Sequence, residues 1–384
     1  MASVTASVEL SAADVDHYRR SFRCWLETHG SELAANPASH DQHIAEGLAL
    51  SRTLWEAGWK RFGWPESLGG FGGGPRHRAT YYDELCRAGL ELPDTDLSIE
   101  VIAPALLRYA PALAETYLPR FLAGEEAWAQ AFSEPDAGSD LAALRTRGVL
   151  EGDQIVVDGQ KVWTSHGHLA TRLVILVRTG TPESRHRGLA ALLVDTDTPG
   201  LIRRPLTFAS GVQEMCETFL QGVRAPADRV IGGVTDGWGV AMYMLQYERS
   251  MYAAQRQAFL GLRLLQIRQF LEEHGAGESA GPALRAAWLL VQTVRARSIQ
   301  TVRRLDAGET VGPEASADKI LLARAEQAVF ELARLAGRGH FVWDAAGEPW
   351  RHGWWYSRAT SIFGGAGEIQ RSIVADRILR LPSE

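Results

Sequence analysis

The spacing of apolar residues changes twice along this chain, and that change constrains the fold more than any other feature. From about Ala12 to Gly124 apolar positions recur at helical spacing, as in Leu48, Leu54 and Trp55, then in Tyr81, Leu85 and Leu90. Only GWPESLGGFGGG at 63–74 interrupts this, as a Gly- and Pro-rich stretch that cannot lie inside a helix. From about Gln130 to Gly232 the pattern becomes strand-like. Ile155, Val156 and Val157 and then Lys161, Val162 and Trp163 flank Asp158-Gly159-Gln160, which reads as a hairpin turn. LVILV at 173–177 and LAALLV at 189–194 read as buried strands, and ETFLQGVRAP at 217–226 as a last strand. From about Trp238 the helical period returns, over roughly 238–274, 283–306, Pro313 to Gly337, and 367–380. The expected fold class is α+β: an N-terminal helical domain (1–127), a middle β domain (128–234) and a C-terminal four-helix bundle (235–384).

That order is not βαβ, no G-x-G-x-x-G leads from a strand into a helix, and no Walker motif is present, which argues against a nucleotide-binding doubly wound domain. At 384 residues, 46% hydrophobic and 22% charged, the chain has the composition of a globular protein of two or three units. A net charge of −6 and the absence of a Lys/Arg-rich run argue against a polyanion such as nucleic acid as the main partner. No apolar run approaches the roughly 20 residues of a membrane span. The opening MASVTASVELSAADVDHYRR has no basic and apolar leader pattern, so no secretory signal is expected. Cys24, Cys86 and Cys216 lack C-x-x-C spacing; a structural zinc site or disulfide framework is not expected, no metal is expected, and a reducing cytoplasm fits.

Five stretches could carry chemistry. Phe132-Ser133-Glu134-Pro135-Asp136-Ala137-Gly138-Ser139-Asp140 is dense in hydroxyls and turn formers, suited to a ligand or simply to a loop. Lys161-Val162-Trp163-Thr164-Ser165 places an indole and two hydroxyls at a strand end, where they could meet a flat heterocycle or merely close the core. After Asp236-Gly237-Trp238, the residues Met244, Leu245, Met251 and Tyr252 form an apolar face with Glu248 between them. A carboxylate partly withdrawn from water there is a candidate general base, or a structural partner of an arginine such as Arg249. Val311-Gly312-Pro313-Glu314-Ala315-Ser316, with Lys319 a turn later, reads as a helix start. Ile362-Phe363-Gly364-Gly365-Ala366-Gly367-Glu368-Ile369-Gln370-Arg371 offers free N–H groups at a Gly-rich turn, suited to a carbonyl oxygen or oxyanion, or forms a hinge.

In this order, GWP-x-x-x-GG (63–70), EP-x-AGSD (134–140), G-x-KVWTS (159–165), Arg178-Thr179, DGW (236–238) with ER (248–249), and GG-x-x-EIQR (364–371) resemble the acyl-CoA dehydrogenase family over nearly the whole chain. The resemblance implies FAD-dependent α,β-dehydrogenation of an acyl thioester, carried by coenzyme A or an acyl carrier protein, to the trans-2-enoyl product. It implies reoxidation by an electron-transfer flavoprotein and assembly into a homo- or heteromeric dimer or tetramer. Phe132, Ser133, Gly138, Ser139, Trp163, Thr164, Ser165, Ala366 and Glu368 would hold the flavin. Ser139, Arg249, Gly364 and Gly365 would meet the acyl substrate. A carboxylate would remove the α-proton as the β-hydride passes to flavin N5. Rival readings are a flavin monooxygenase on the same fold, and a partner subunit of a heteromeric acyl-CoA dehydrogenase without full activity alone.

Two departures from the family pattern matter. Many members carry the base as a Glu in the last motif, where this chain has Gly364; others carry it where Glu248 stands, so Glu248 is the expected catalytic base. Many members also have Arg-x-x-Phe-Gly and Gln-x-x-Gly-Gly segments that complete the flavin site across a dimer. Here 268–284 read RQFLEEHGAGESAGPAL and 333–340 read ARLAGRGH, so neither is intact.

Overall fold

The computed structural model of the protein describes residues 14–34 and 39–382. The stretch read above for a secretory leader lies largely outside them. Helices α1 (Val15–Leu33), α2 (His40–Glu56), α3 (Pro75–Arg87), α4 (Asp94–Tyr109) and α5 (Pro111–Leu122) come first. Strands β1 (Trp128–Ala131), β2 (Arg147–Glu151), β3 (Gln154–Ser165), β4 (Arg172–Arg178), β5 (Leu189–Asp195), β6 (Leu201–Leu206), β7 (Met215–Pro226) and β8 (Val230–Ile231) follow. Helices α6 (Gly237–Glu273), α7 (Gly277–Asp306), α8 (Glu314–Trp343), α9 (Glu348–Ala359) and α10 (Gly367–Ile373) complete the order. No helix among the described residues is long and apolar enough to cross a membrane. Helices, then a sheet, then helices is the order the periodicity predicts.

The chain divides into two units that interleave in sequence. The first comprises the described residues of Ala35–Phe71 with Pro93–Tyr247; the second, those of Val8–Ala34, Gly72–Leu92 and Glu248–Glu384. Helix α6 contributes to both, the division falling between Tyr247 and Glu248.

In the first unit the strands run in the order β6-β7-β3-β2-β4-β5-β8, with β1 parallel to β4. The apolar runs of β4 and β5 are continuous because both faces are buried. Val174, Leu176, Leu189, Ala191 and Leu193 join a core with Ile102, Leu106, Leu118 and Phe121 of α4 and α5. Their alternating neighbours Leu173, Ile175, Val177, Ala190, Leu192 and Val194 pack with Ile155, Val157, Leu220 and Val223. Gly237 lets α6 begin against the sheet, since a Cβ there would lie 2.6 Å from the Ala190 carbonyl carbon.

The Asp158-Gly159-Gln160 turn is not formed. β3 runs unbroken through it, with a register shift against β7 between Val157 and Gly159, and a Cβ on Gly159 would lie 2.5 Å from Thr146 Oγ1. The glycine serves a bulge and a close approach rather than a turn. The hairpin lies one strand earlier, where Glu151 pairs with Gln154 across Gly152 (φ 64°) and Asp153.

In the second unit α1 packs on α3, α3 on α7, α7 on α8, and α8 on α9 and α10. α7 starts earlier than predicted, at Gly277, and continues through Pro282, although a proline inside the helix withholds one N–H donor. α8 continues past Gly337, whose missing side chain admits the Phe270 ring. Helix α9 escapes the periodicity because Gly353 interrupts its apolar face; a Cβ there would lie 2.0 Å from the Phe330 ring. Cys86 and Cys216 are buried, Cys24 is exposed, and all three are free thiols.

A buried network ties α2 to α4 in the first unit. Lys60 Nζ donates to Asp96 Oδ1 at 2.6 Å and to Ser51 Oγ at 2.8 Å, with all three residues at most 5% exposed. Lys60→Met strands the Asp96 carboxylate and should cost about 3–5 kcal/mol, read as a lower urea midpoint. Replacing both partners by apolar residues should recover most of the loss.

Candidate active site

The EP-x-AGSD loop of the first unit is built around Glu134. Its Oε1 accepts from Lys161 Nζ and Thr146 N, both at 2.8 Å, and its Oε2 from Arg145 N at 2.6 Å. Lys161 is fully buried and also donates to the Phe132 carbonyl at 3.1 Å. Burial alone would raise the Glu134 carboxyl, but the Lys161 ammonium and the donated hydrogen bonds hold it below its ordinary value. Arg178 is a further internal staple, donating to the carbonyls of Leu144 and Ala142. Glu134, Lys161 and Arg178 thus spend their charge on holding loops in place.

That scaffold sets the predicted flavin-side residues. Phe132 is buried; Ser133 is half-buried, its carbonyl accepting from Val162 N at 2.9 Å; Gly138 and Ser139 are exposed. At the end of β3, Trp163 adopts φ 62° and leaves its indole 56% exposed, near Phe208. Thr164 beside it is fully buried and its hydroxyl has no partner, while Ser165 is exposed. An unsatisfied buried hydroxyl and a held-out aromatic face are costly features for a strand end, and both fit a planar, polar-edged group such as a flavin ring.

In the second unit the structure brings Glu248, Arg249, Gly364 and Gly365 together. A Cβ on Gly364 would lie 3.2 Å from Glu248 Oε1, so the carboxylate of α6 fills the space beside the Gly-rich turn. Gly364 (φ 65°) and Gly365 (φ 101°) hold conformations that other residues avoid. Arg249 Nε points at the Gly364 carbonyl from 3.4 Å. Burial lowers the Arg249 pKa, an effect partly offset by Glu248. Ala366 precedes α10 as its N-cap, and Glu368 is exposed, 3.8 Å from Arg371.

Three neighbours were not among the predicted site residues. Lys319, read only as part of a helix start, has its Cε 3.2 Å from where a Gly364 Cβ would stand, and its Nζ donates to Thr360 O at 2.7 Å. Gln370 is fully buried with neither amide atom partnered, and Thr360 Oγ1 also lacks a partner. Lys319, Thr360, Gly365, Glu368 and Gln370 line a cavity of about 260 Å³. The sequence signal for Gln370 was its place in EIQR; for Lys319 there was only its proximity to Pro313.

Burial drives Lys319 down to about 8, against the pull of Glu326 and Glu248. Because the folded pKa lies below the unfolded 10.5, folded protein should bind fewer protons than unfolded protein between about pH 8 and 10.5. Lys319 therefore contributes rising stability across that window, and loses it as pH falls through 8. Melting curves should show wild type gaining on Lys319→Met from pH 8 to 10, with a flat difference below about pH 7.

Profiles of three acyl-CoA dehydrogenase domains match in series: the N-terminal domain over 13–125, the middle domain over 129–223 and the C-terminal domain over 235–379. Among solved structures, the Tcur3481-Tcur3483 steroid ACAD superposes with a TM-score of 0.82 at 25% identity, covering 97% of this chain and 98% of that one. The ChsE4-ChsE5 complex from Mycobacterium tuberculosis shares the fold, with a TM-score of 0.76 at 24% identity, covering 96% and 98%. Helical regions flanking a central sheet in this arrangement define the acyl-CoA dehydrogenase fold. Acyl-CoA dehydrogenase IpdE1 of Mycobacterium tuberculosis is 34% identical over 384 residues, covering 97% of this chain and 99% of that protein. The chain belongs to the acyl-CoA dehydrogenase family, a family of oxidoreductases.

Proposed function

We propose that the protein is an FAD-dependent dehydrogenase of an acyl thioester, with Glu248 as the base. The observation that carries this reading is the Glu248 carboxylate set against Gly364, beside the turn where many family members carry the base themselves. Glu248 takes the α-proton onto a carboxylate oxygen. The Gly364 and Gly365 N–H groups donate to the thioester carbonyl, stabilising the enolate-like charge as it develops. Arg249 supports the acyl end of the substrate. Trp163 would lay its ring against a flavin, Thr164 and Ser165 would donate to its polar edge, and Phe132, Ser133, Gly138, Ser139, Ala366 and Glu368 would complete the contacts this chain supplies. FAD held there would supply the acceptor for the β-carbon's hydride, and an electron-transfer flavoprotein is the proposed acceptor beyond it.

The likeness to a steroid ACAD makes ring-bearing, steroid-derived acyl-CoA thioesters the first to test. The altered segments at 268–284 and 333–340 favour assembly with a different chain that completes the flavin site. In that case the protein purified alone carries little flavin and gains it on co-expression with its partner.

Glu248→Gln should keep the flavin absorbance of the assembled protein and lower its anaerobic bleaching by thioester about 10²–10⁴-fold. Bleaching at the wild-type rate would remove Glu248 from the role. Rapid oxygen consumption by the reduced protein, undiminished in Glu248→Gln, would favour the monooxygenase reading instead.

A further inference from the structure

The two segments that lack the family's dimer-spanning flavin patterns each supply a histidine, and the structure brings these together. His274 follows the end of α6, and His340 lies in the last turns of α8. Asp344 caps that helix. One ligating atom from each of the three lies within 4.8 Å of the others. We propose that His274, His340 and Asp344 bind one first-row divalent ion of the zinc type, joining the C-terminal ends of α6 and α8.

The donor set is two imidazoles and one carboxylate, which suits zinc, nickel, cobalt or copper and leaves coordination positions for water. Ring orientation supports it. His274 Nδ1 lies 2.7 Å from the Phe270 carbonyl, so this nitrogen carries the proton and donates, which leaves the Nε2 lone pair for an ion. His340 Nδ1 lies 2.7 Å from Asp344 Oδ2, and the two imidazole centroids are 4.4 Å apart at 53°. Tetrahedral bonds of about 2.1 Å separate ligand atoms by about 3.4 Å. The widest gap therefore closes by little more than an ångström, within reach of rotation about the His340 and Asp344 side chains, which are 48% and 45% exposed.

The backbone gives further support. Arg338 takes φ 45° and ψ −121°, which breaks α8 and re-aims the turn bearing His340. Arg351 Nη1 then ties that turn down, donating to the carbonyls of Phe341 and Asp344. The ion would add a cross-link between two helix ends where the family pattern expects flavin contacts.

The test is calorimetric titration of zinc into tag-free, chelator-stripped full-length protein, with melting curves alongside. One equivalent should bind and raise the melting temperature. H340A and D344N, at partly exposed positions, should weaken binding at least about tenfold and abolish the shift, while H17A, an exposed histidine of α1, should behave as wild type. Absence of binding, or equal binding and an equal melting shift in H340A and wild type, would overturn the proposal. None of these readouts depends on dehydrogenase activity.

Discussion

Strands β4 and β5 have no face to give to water, and the rest of the first unit follows from that constraint. Side chains alternate between the α4–α5 core and the core beneath β3 and β7, so every residue from Leu173 to Val177 is committed to packing. Polar chemistry is thereby pushed to strand ends and connecting loops, where Trp163, Thr164 and the 132–140 segment lie. A rigid sheet with reactive edges is a common division of labour, since precise placement needs a support that cannot move.

Charged residues inside the recognised motifs divide by what surrounds them. Glu134, Lys161 and Arg178 are enclosed by partners from the same unit, and removing any one would leave buried charge or carbonyl groups unmatched. Their motifs therefore signal loop architecture as much as chemistry. Glu248 differs in position: its Oε1 lies 3.2 Å from where a Gly364 Cβ would stand, beside the glycine turn.

In the proposed reading, Glu248 supplies from α6 the carboxylate that many family members carry at the position of Gly364. A Glu at 364 would have to adopt φ 65° and would crowd both the Glu248 carboxylate and Lys319. A carboxylate supplied from α6 is compatible with glycine in the turn, where positive φ disfavours other residues. Lys319, buried beside that turn, couples the local charge balance to pH in a way the helix-start reading of its segment did not contain.

Apolar periodicity and motif order by themselves determined the helix–sheet–helix architecture and the family, and they singled out Glu248 as the candidate base, because burial imposes spacing and a motif is a local string. Features that depend on what arrives from elsewhere in the chain were decided only by tertiary structure. Gly159 reads as a turn until Thr146 is known to press on it, and Gly353 hides a helix until the Phe330 ring is found in its place. Lys319 and Gln370 gain meaning only beside the 364–365 turn, and His274 and His340 only beside each other. Close approach between distant segments leaves no periodic trace in sequence, so it could be read only once the chain was folded.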